Sequence, residues 1–339
     1  MIQRGIFYAL AISCFLLSCS NESETTVDET TTDVSLADST EFYENRIISN
    51  PTSPDSYLGR AGWHIRNGRI TEGLADLDLA LEADSTFGPA WSAKSDALYL
   101  LKEFDACIKH LDVCLEYSPN HTPCKLRRAE LYVHLNQYEL AFKQLNDALK
   151  IDDQLHEAYW MKGKIYSELG EVENALSSYQ TAVEVNPNFF DGYIKLGIAN
   201  ASLGNDIAEE YYQAAITIKP NSVEAKYNLA MFLQDKADYQ RALDLYVEIL
   251  DIDSTNASAA FNSGYIYLEY LQDYKNGEHW FTEAINRLPY YHHAFFNRGL
   301  CRESMGNLDG ALEDYNEALR LEPTFDGAAR AKGRVLETK

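Results

Sequence analysis

Basic side chains are scarce in this sequence, which has 29 Lys and Arg against 52 Asp and Glu among 339 residues and a formal charge of -23 at pH 7. Proteins that bind a phosphate backbone need clustered Lys and Arg, so this balance argues against a nucleic-acid partner. The excess of carboxylates is expected to keep the protein soluble or to favour basic partners.

Catalytic motifs are also missing, since the sequence contains no phosphate-binding loop, no GxSxG elbow, no HExxH and no GxGxxG after a strand. The one adjacent histidine pair, His292 and His293, falls at a unit boundary, where a polar surface is favoured over a metal site. We therefore expect no catalytic residues, no cofactor and no bound metal. An enzyme that uses unrecognised residues remains a weaker alternative.

The N-terminal apolar run from Ile6 to Leu17 is about 12 residues long, which is short of the roughly 20 that a membrane-spanning helix needs. It follows Arg4 and has the layout of a signal peptide, which we assign to residues 1–18. Leu16-Leu17-Ser18-Cys19 resembles the lipobox of bacterial lipoproteins. The resemblance implies a lipid on Cys19, and Ser20 favours the outer membrane. A plain secretory signal or an uncleaved anchor is the alternative.

Residues 19–40 contain no basic or aromatic side chain and are rich in Ser, Thr, Asp and Glu. Such a segment cannot bury enough apolar surface to fold, and we predict a disordered acidic tether whose ends lie roughly 25 Å apart. Together with the lipobox, it predicts a protein that is attached to the cell envelope by its lipid alone.

A repeating pattern follows the tether. A small residue recurs at steps of 33 to 35 residues, at Ala61, Ser95, Ala129, Gly163, Gly197, Ala230, Gly264, Gly299 and Gly333. A second small position, broken only by Ile249, includes Ala80, Cys114, Ala148, Ala182, Ala215, Ala284 and Ala318. A large side chain recurs at Leu77, Leu111, Leu145, Tyr179, Tyr212, Tyr246, Phe281 and Tyr315. Small residues allow two helices to cross closely, and the large ones fill the adjoining gap.

The pattern resembles the tetratricopeptide repeat, and the fourth and eighth units show it best. The fourth has Tyr159, Gly163, Tyr166, Ala175, Tyr179, Ala182 and Pro187, and the eighth has Phe295, Gly299, Ala311, Tyr315, Ala318 and Pro323. The resemblance implies an all-α fold, a right-handed α-solenoid of eight helix-turn-helix repeats at residues 54–87, 88–121, 122–155, 156–189, 190–222, 223–256, 257–291 and 292–325. Residues 41–53 and 326–339 are in register as capping helices. One residue is missing near Asn205, and one is added near Gln272.

The remaining face of each first helix is expected to line a concave groove, the usual binding surface of such solenoids. Its candidate partner-binding residues form a mainly apolar stripe and include Trp160, Ile194, Tyr227, Phe261, Tyr265 and Phe296. If exposed, the stripe would suit an extended segment or the apolar face of a helix. The alternative is that these side chains pack between neighbouring first helices.

Two polar sets adjoin the stripe. Three consecutive units carry an amide, at Asn228, Asn262 and Asn297. They resemble the asparagine ladder of O-linked N-acetylglucosamine transferases, which implies binding to a peptide backbone, although drift within the repeat consensus is an alternative. A possible basic track comprises Arg127, Lys164 and Lys195. It could bind a carboxylate, but local salt bridges are favoured in so acidic a protein.

Four cysteines remain after Cys14 and Cys19 are assigned to the signal peptide and to lipid: Cys107, Cys114, Cys124 and Cys301. Cys107 and Cys114 cannot pair, because seven residues of helix separate their Cα atoms by about 10.5 Å. A bridge from Cys114 to Cys124 across a turn is possible in an oxidising compartment. Small packing residues are favoured instead, and no pair has the spacing of a zinc site.

These features predict a non-catalytic scaffold or adaptor of the bacterial cell envelope, which binds a peptide or helix segment of an unidentified envelope or secreted protein in its groove. The alternative is an envelope lipoprotein that binds a glycan or small ligand by stacking on Trp160, Tyr227, Phe261 and Phe296.

Overall fold

The computed structural model describes residues 36–338, and of residues 36–40 it describes the backbone alone. Every regular element in this range is helical. The helices are α1 (Leu36–Ser49), α2 (Pro54–Arg66), α3 (Ile70–Ala83), α4 (Gly88–Leu100), α5 (Phe104–Tyr117), α6 (Thr122–His134), α7 (Tyr138–Leu149), α8 (His156–Glu168), α9 (Val172–Val185), α10 (Phe190–Ser202), α11 (Ala208–Ile218), α12 (Val223–Asp235), α13 (Tyr239–Ile252), α14 (Ala257–Tyr265), α15 (Tyr274–Arg287), α16 (His292–Ser304), α17 (Leu308–Leu321) and α18 (Asp326–Thr338). This confirms the predicted all-α class.

The predicted signal peptide, the predicted lipidation site at Cys19 and most of the predicted tether lie outside the described residues. The backbone of residues 36–40 belongs to α1, so the helix begins five residues before the boundary that the sequence suggested. No helix between residues 36 and 338 is both long and apolar enough to cross a membrane.

The chain divides into two compact units, the first of which ends at Ala83 and the second of which begins at Asp84. In the first unit, α2 packs along α3, and α1 lies against α2. Gly59 makes room for the ring of Tyr43, because a Cβ atom at this glycine would lie 2.7 Å from Tyr43 Cε1. The unit also contains a buried ion pair, in which Arg60 donates two hydrogen bonds to Asp76.

The second unit consists of consecutive helix pairs, from α4 with α5 to α16 with α17, followed by α18. The expected contact of small and large residues holds the pairs together. A Cβ atom added to Gly163 would lie 2.6 Å from the ring of Tyr179, and one added to Gly299 would lie 2.6 Å from the ring of Tyr315. Both tyrosines are almost completely buried. These glycines are therefore helix-crossing points, as predicted, whereas a Cβ atom added to Gly333 in α18 would have no atom within 4 Å.

The two irregular repeats keep their packing by local changes in helix geometry. The deletion near Asn205 shortens α11 to 11 residues, whereas the second helices elsewhere in the unit have 12 to 14. The insertion near Gln272 is accommodated by a π-helical turn, Ile266–Tyr270, which continues α14. A π turn absorbs one extra residue within a helix, so the residues on either side stay in register.

Each repeat also has one residue of positive φ in the turn between its two helices. Glycine occupies this position in four repeats, at Gly68, Gly170, Gly204 and Gly306. The other four repeats have a side chain there, at Lys102, Asn136, Ala237 and Gln272. This left-handed residue ends the first helix, and it is a feature that the sequence analysis did not single out.

The structure corrects the interpretation of two cysteines. Cys114, near the end of α5, and Cys124, in the first turn of α6, form a disulfide with their Cα atoms 6.6 Å apart. They are therefore not merely small packing residues, because the turn between these helices brings the two sulfur atoms together. Cys107 and Cys301 are buried free thiols, in agreement with the expectation that Cys107 and Cys114 do not pair.

Candidate partner-binding surface

The first helices of neighbouring repeats approach one another in the second unit. Contacts join α4 to α6, α6 to α8, α10 to α12 and α16 to α18, and no two second helices among the described residues come as close. Because neighbouring helix pairs are closer together at their first helices than at their second helices, the first helices lie on the inner side of the stack. We call the solvent-facing side of α6, α8, α10, α12, α14 and α16 the inner wall.

Five aromatic candidates on the inner wall are partly exposed: Trp160, Tyr227, Phe261, Tyr265 and Phe296. Their remaining surface packs against the protein. The ring of Phe261 stacks on that of Tyr291, with centroids 4.8 Å apart, and the ring of Phe296 meets Phe325 edge to face at 5.0 Å. Exposure and packing, the two alternatives for this stripe, are therefore both present, since each ring packs against its neighbours and still exposes part of its surface to solvent.

Trp160 has a further property. Its indole Nε1–H group is buried and has no hydrogen-bond acceptor among the described residues. A buried donor without a partner costs roughly 1–3 kcal/mol, so such groups are uncommon in folded proteins. The ring is fixed at its edge by Phe189, with centroids 6.3 Å apart.

Asn262 does not have the role that the amide ladder predicted. Its Nδ2 group donates to Tyr227 Oη at 2.9 Å and to Tyr246 Oη at 3.2 Å. Both amide hydrogens are thereby used within the protein. Burial raises the pKa of both Tyr227 and Tyr246. Asn262 is thus an internal link between α12, α13 and α14, and it cannot donate to a bound peptide as it stands.

Two other candidates are also placed differently from the prediction. Asn297 is only 9% exposed, and Ile194 is only 2% exposed. Ile194 packs in a core cluster with Phe190, Ala215 and Ala225, because these neighbours from α10, α11 and α12 enclose its branched side chain. Neither residue offers a surface to a partner. Asn228, which is partly exposed, remains available.

The possible basic track is interrupted in the structure. Arg127 donates from Nε to Asp96 Oδ1 at 2.5 Å and forms a second ion pair with Glu130. Its guanidinium also lies 5.3 Å from the ring centroid of Tyr99. Lys164 is exposed, and Lys195 is partly exposed. At Arg127 the favoured alternative, a local salt bridge, is therefore what the structure contains.

Two carboxylates on α12 were missed by the sequence analysis. Glu224 and Asp235 are exposed, yet desolvation is the largest cause of a raised pKa for each. Lys195 acts in the opposite direction on Glu224. The two residues are eleven positions apart, so they share one face of the helix with Tyr227 and Met231. This spacing of 3, 4 and 4 residues on one helix could have revealed the set.

Comparison with known proteins assigns the repeats. Two tetratricopeptide repeat family models match residues 123–155 and 293–325, and a third model, described as a TPR repeat, matches residues 163–204. The C-terminal part of a TPR repeat-containing protein from Cytophaga hutchinsonii superimposes with a TM-score of 0.62 at 18% identity, over 71% of this chain and 98% of that one. Three segments of the chain thus match tetratricopeptide repeat models, and the fold is that of a TPR solenoid.

Similarity to curated TPR proteins is confined to short segments. Hsp70-Hsp90 organizing protein 2 of Arabidopsis thaliana is 34% identical over 68 residues, which is 20% of this chain and 12% of that protein. The mitochondrial import receptor subunit TOM70 of Rattus norvegicus is 24% identical over 123 residues, 36% of this chain and 20% of the relative. The chain thus spans a fifth or less of the length of these relatives.

Buried ion pairs distinguish two of the TPR units from the rest. Arg298 in α16 pairs with Asp314 in α17 at 2.7 Å, just as Arg60 pairs with Asp76 sixteen residues later. Both aspartates are nearly inaccessible to solvent. Because each pair joins the two helices of one repeat, we assign it a role in packing.

Proposed function

We propose that this protein is a non-catalytic scaffold of a bacterial cell envelope, which binds a peptide or helix segment of another protein on its inner wall. The observation that carries the proposal is the set of partly exposed aromatic rings on four of the first helices, Trp160 on α8, Tyr227 on α12, Phe261 and Tyr265 on α14 and Phe296 on α16. Rings that are already held by their neighbours lose little conformational entropy on binding, so they are suited to anchor a partner.

The dimensions of the wall suggest the length of the bound segment. Packed helices lie about 8–10 Å apart, so the four steps from α8 to α16 span roughly 35 Å. An extended chain advances about 3.3 Å per residue, so a segment of roughly 11 residues would reach across these five helices. Two curated relatives support a role in handling proteins, since one is named an organizing protein and the other an import receptor subunit.

The envelope location rests on the sequence. The signal peptide of residues 1–18 and the lipobox ending at Cys19 support lipid attachment, and the acidic tether supports a distance between membrane and repeats. Metabolic labelling with palmitate tests this assignment. We expect the wild type to carry label in the membrane fraction and Cys19→Ser to lose it. Equal labelling of both proteins would rule out Cys19 as the lipid site.

Site-directed photo-crosslinking in the native envelope tests binding to the wall. A photoreactive phenylalanine at Tyr265 is expected to capture a protein, whereas the same group at Tyr117, which is 50% exposed on a second helix, is not. The Trp160→Ala variant should weaken capture from position 265. The matched control Tyr290→Ala removes a ring that is 69% exposed in a turn, and it should leave capture unchanged.

Two outcomes would overturn the proposal. The first is crosslinking that occurs equally at positions 265 and 117, because the wall would then have no preference for a partner. The second is a glycan-array signal that Trp160→Ala removes while no protein is captured at position 265. That result would favour the alternative, an envelope protein that stacks a glycan on the same rings.

A further inference from the structure

The turn between α5 and α6 brings two sulfur atoms and an imidazole together. Cys114 and Cys124 are both completely buried and form the disulfide. His121 Nδ1 lies 3.1 Å from Cys124 Sγ and 3.7 Å from Cys114 Sγ. Among the described residues, this is the cluster of three whose donor atoms all lie within 4.8 Å of one another, as metal ligands must.

The position of His121 is fixed from two sides. It is the N-cap of α6, and its Nδ1 accepts a hydrogen bond from the Cys124 amide at 3.3 Å. On the other side its ring lies against Gly88, where a Cβ atom would be 2.9 Å from His121 Cδ2. The hydrogen bond from the Cys124 amide and the contact with Gly88 therefore hold the imidazole against the two sulfur atoms.

The distances match those that a tetrahedral zinc ion imposes. With Zn–S of about 2.3 Å and Zn–N of about 2.0–2.1 Å, a nitrogen ligand lies about 3.6 Å from each sulfur, and two sulfur ligands lie about 3.8 Å apart. The observed separations of 3.1 and 3.7 Å between nitrogen and sulfur lie on either side of the required value. The sulfur–sulfur separation has to increase most, which requires the disulfide to be open, and the distance from Cys124 Sγ to His121 Nδ1 has to lengthen by about 0.5 Å.

The start of α6 also favours a thiolate over a thiol at Cys124. Cys124 is the third residue of the helix, within the turn whose free N–H groups and dipole stabilise negative charge. Thiolate sulfur and imidazole nitrogen are the donors that zinc and other soft or borderline cations prefer. Three protein ligands leave a fourth position for water.

We propose that Cys114, His121 and Cys124 form a two-state site, a disulfide when oxidised and a binding site for one Zn²⁺-like cation when reduced. A dithiol or phosphine reductant breaks the S–S bond and supplies two electrons, and each sulfur takes up one proton. Metal binding then releases these two protons to solvent, and His121 Nδ1 gives up its hydrogen bond from the Cys124 amide so that its lone pair ligates the cation. Both states join α5 to α6, and hence the second repeat to the third.

Cobalt titration of the full chain tests the site. The protein is reduced, freed of reductant under argon and titrated with Co²⁺. We expect one equivalent to give the ligand-field and sulfur-to-cobalt absorption of tetrahedral thiolate coordination, and added Zn²⁺ to abolish it. The oxidised protein should give no such absorption, because its sulfur atoms are bonded to each other.

Three variants identify the ligands. Cys114→Ser/Cys124→Ser should show no cobalt signal. His121→Asn keeps a side chain that can cap α6 and should bind at least about tenfold more weakly. Cys107→Ser/Cys301→Ser, which removes the two other buried thiols, should behave as the wild type does.

The proposal is overturned if reduced wild type with unchanged circular dichroism gives no cobalt signal. It is equally overturned if the signal survives in Cys114→Ser/Cys124→Ser, is unaffected by His121→Asn, or is lost in Cys107→Ser/Cys301→Ser. None of these results depends on whether the inner wall binds a protein.

Discussion

The guanidinium of Arg298 lies alongside the carboxylate of Asp314, with Nη2 donating to Oδ1 at 2.7 Å and Nε to Oδ2 at 3.1 Å. Arg302 Nη1 reaches the same carboxylate, 3.0 Å from Oδ2. The Asp314 side chain is 3% exposed, so one buried anion pairs with two guanidinium groups. Arg302 also pairs with Glu278, at 2.7 Å.

Loss of that anion is expected to destabilise the last repeat. Asp314→Ala leaves Arg298 partly buried without its carboxylate and leaves Arg302 with Glu278 alone, and breaking a buried pair in this way costs about 3–5 kcal/mol. Urea unfolding followed by circular dichroism measures the effect. The exposed pair of Arg320 and Glu317 provides the control, since Glu317→Ala should cost less than about 1 kcal/mol. Equal losses in the two variants would show that the burial of Asp314 is unimportant.

The left-handed turn residues predict a stabilising substitution. Ala237 has a φ of 63°, a conformation that costs a residue with a Cβ about 1–2 kcal/mol and glycine very little. Ala237→Gly is therefore expected to raise the free energy of unfolding by about 1 kcal/mol, as measured by chemical denaturation. Gly170 has the same conformation and no atom within 4 Å of an added Cβ, so Gly170→Ala should lower stability by a similar amount. Changes of the same sign at both sites would contradict this argument.

Glu303 makes the stability of the C-terminal end depend on pH. Its carboxylate accepts hydrogen bonds from Arg334 and from Tyr315, and the bond from Arg334 is the largest cause of its lowered pKa. A lowered pKa in the folded state means that the contribution is present above the unfolded pKa of about 4.3 and is lost as pH falls through the folded pKa.

Comparison of wild type with Glu303→Gln at several pH values checks this dependence. We expect the variant to be less stable at pH 7, by about 1 kcal/mol because Arg334 is half exposed, and the difference to shrink below pH 4. A difference that stayed constant from pH 7 to pH 3 would mean that packing, and not the charge of Glu303, is responsible.

Equivalent asparagines of two neighbouring repeats are predicted to have different roles. Asn262→Ala removes the donor shared by Tyr227 and Tyr246 and should lower the free energy of unfolding by about 1–3 kcal/mol, since buried polar groups lose their partner. Asn228 occupies the equivalent position one repeat earlier and is partly exposed, so Asn228→Ala should change stability little. Thermal melting of both variants checks the contrast, which fails if Asn228→Ala is the more destabilising.

The sequence allowed the helix pairs to be predicted because their packing residues recur in every repeat. Gly163 and Gly299 occupy equivalent positions, and each contacts a tyrosine of the following helix. The pair of Arg298 and Asp314 has a counterpart in Arg60 and Asp76. In the third repeat, however, Arg128 donates at the same spacing to Gln144, so the ion pair itself does not recur regularly enough to be recognised as a pattern.

Exposure on the inner wall was harder to predict, because it depends on neighbours from other repeats. Ile194 and Phe261 occupy the same repeat position, yet the first is enclosed by the core and the second is partly exposed. The link between Tyr227 and Asn262 likewise joins two repeats, 35 residues apart. Such contacts depend on the spacing between repeats, which a repeat pattern alone does not specify.

The disulfide provides the last prediction, since it closes a loop with a sequence separation of 10 residues. Closing a loop of this size in the unfolded chain is worth about 2.7 kcal/mol in the chain-entropy model. Cys114→Ser/Cys124→Ser should therefore unfold at lower urea concentration than oxidised wild type. Reduced wild type in the presence of a chelator should behave like the variant, because neither the disulfide nor a metal then joins α5 to α6.

Zn²⁺ added in place of the chelator should restore stability to the reduced wild type and not to the variant. If reduction leaves the unfolding curve of the wild type unchanged, the bond contributes nothing to the folded repeats, and α5 and α6 are held together by their apolar contacts alone.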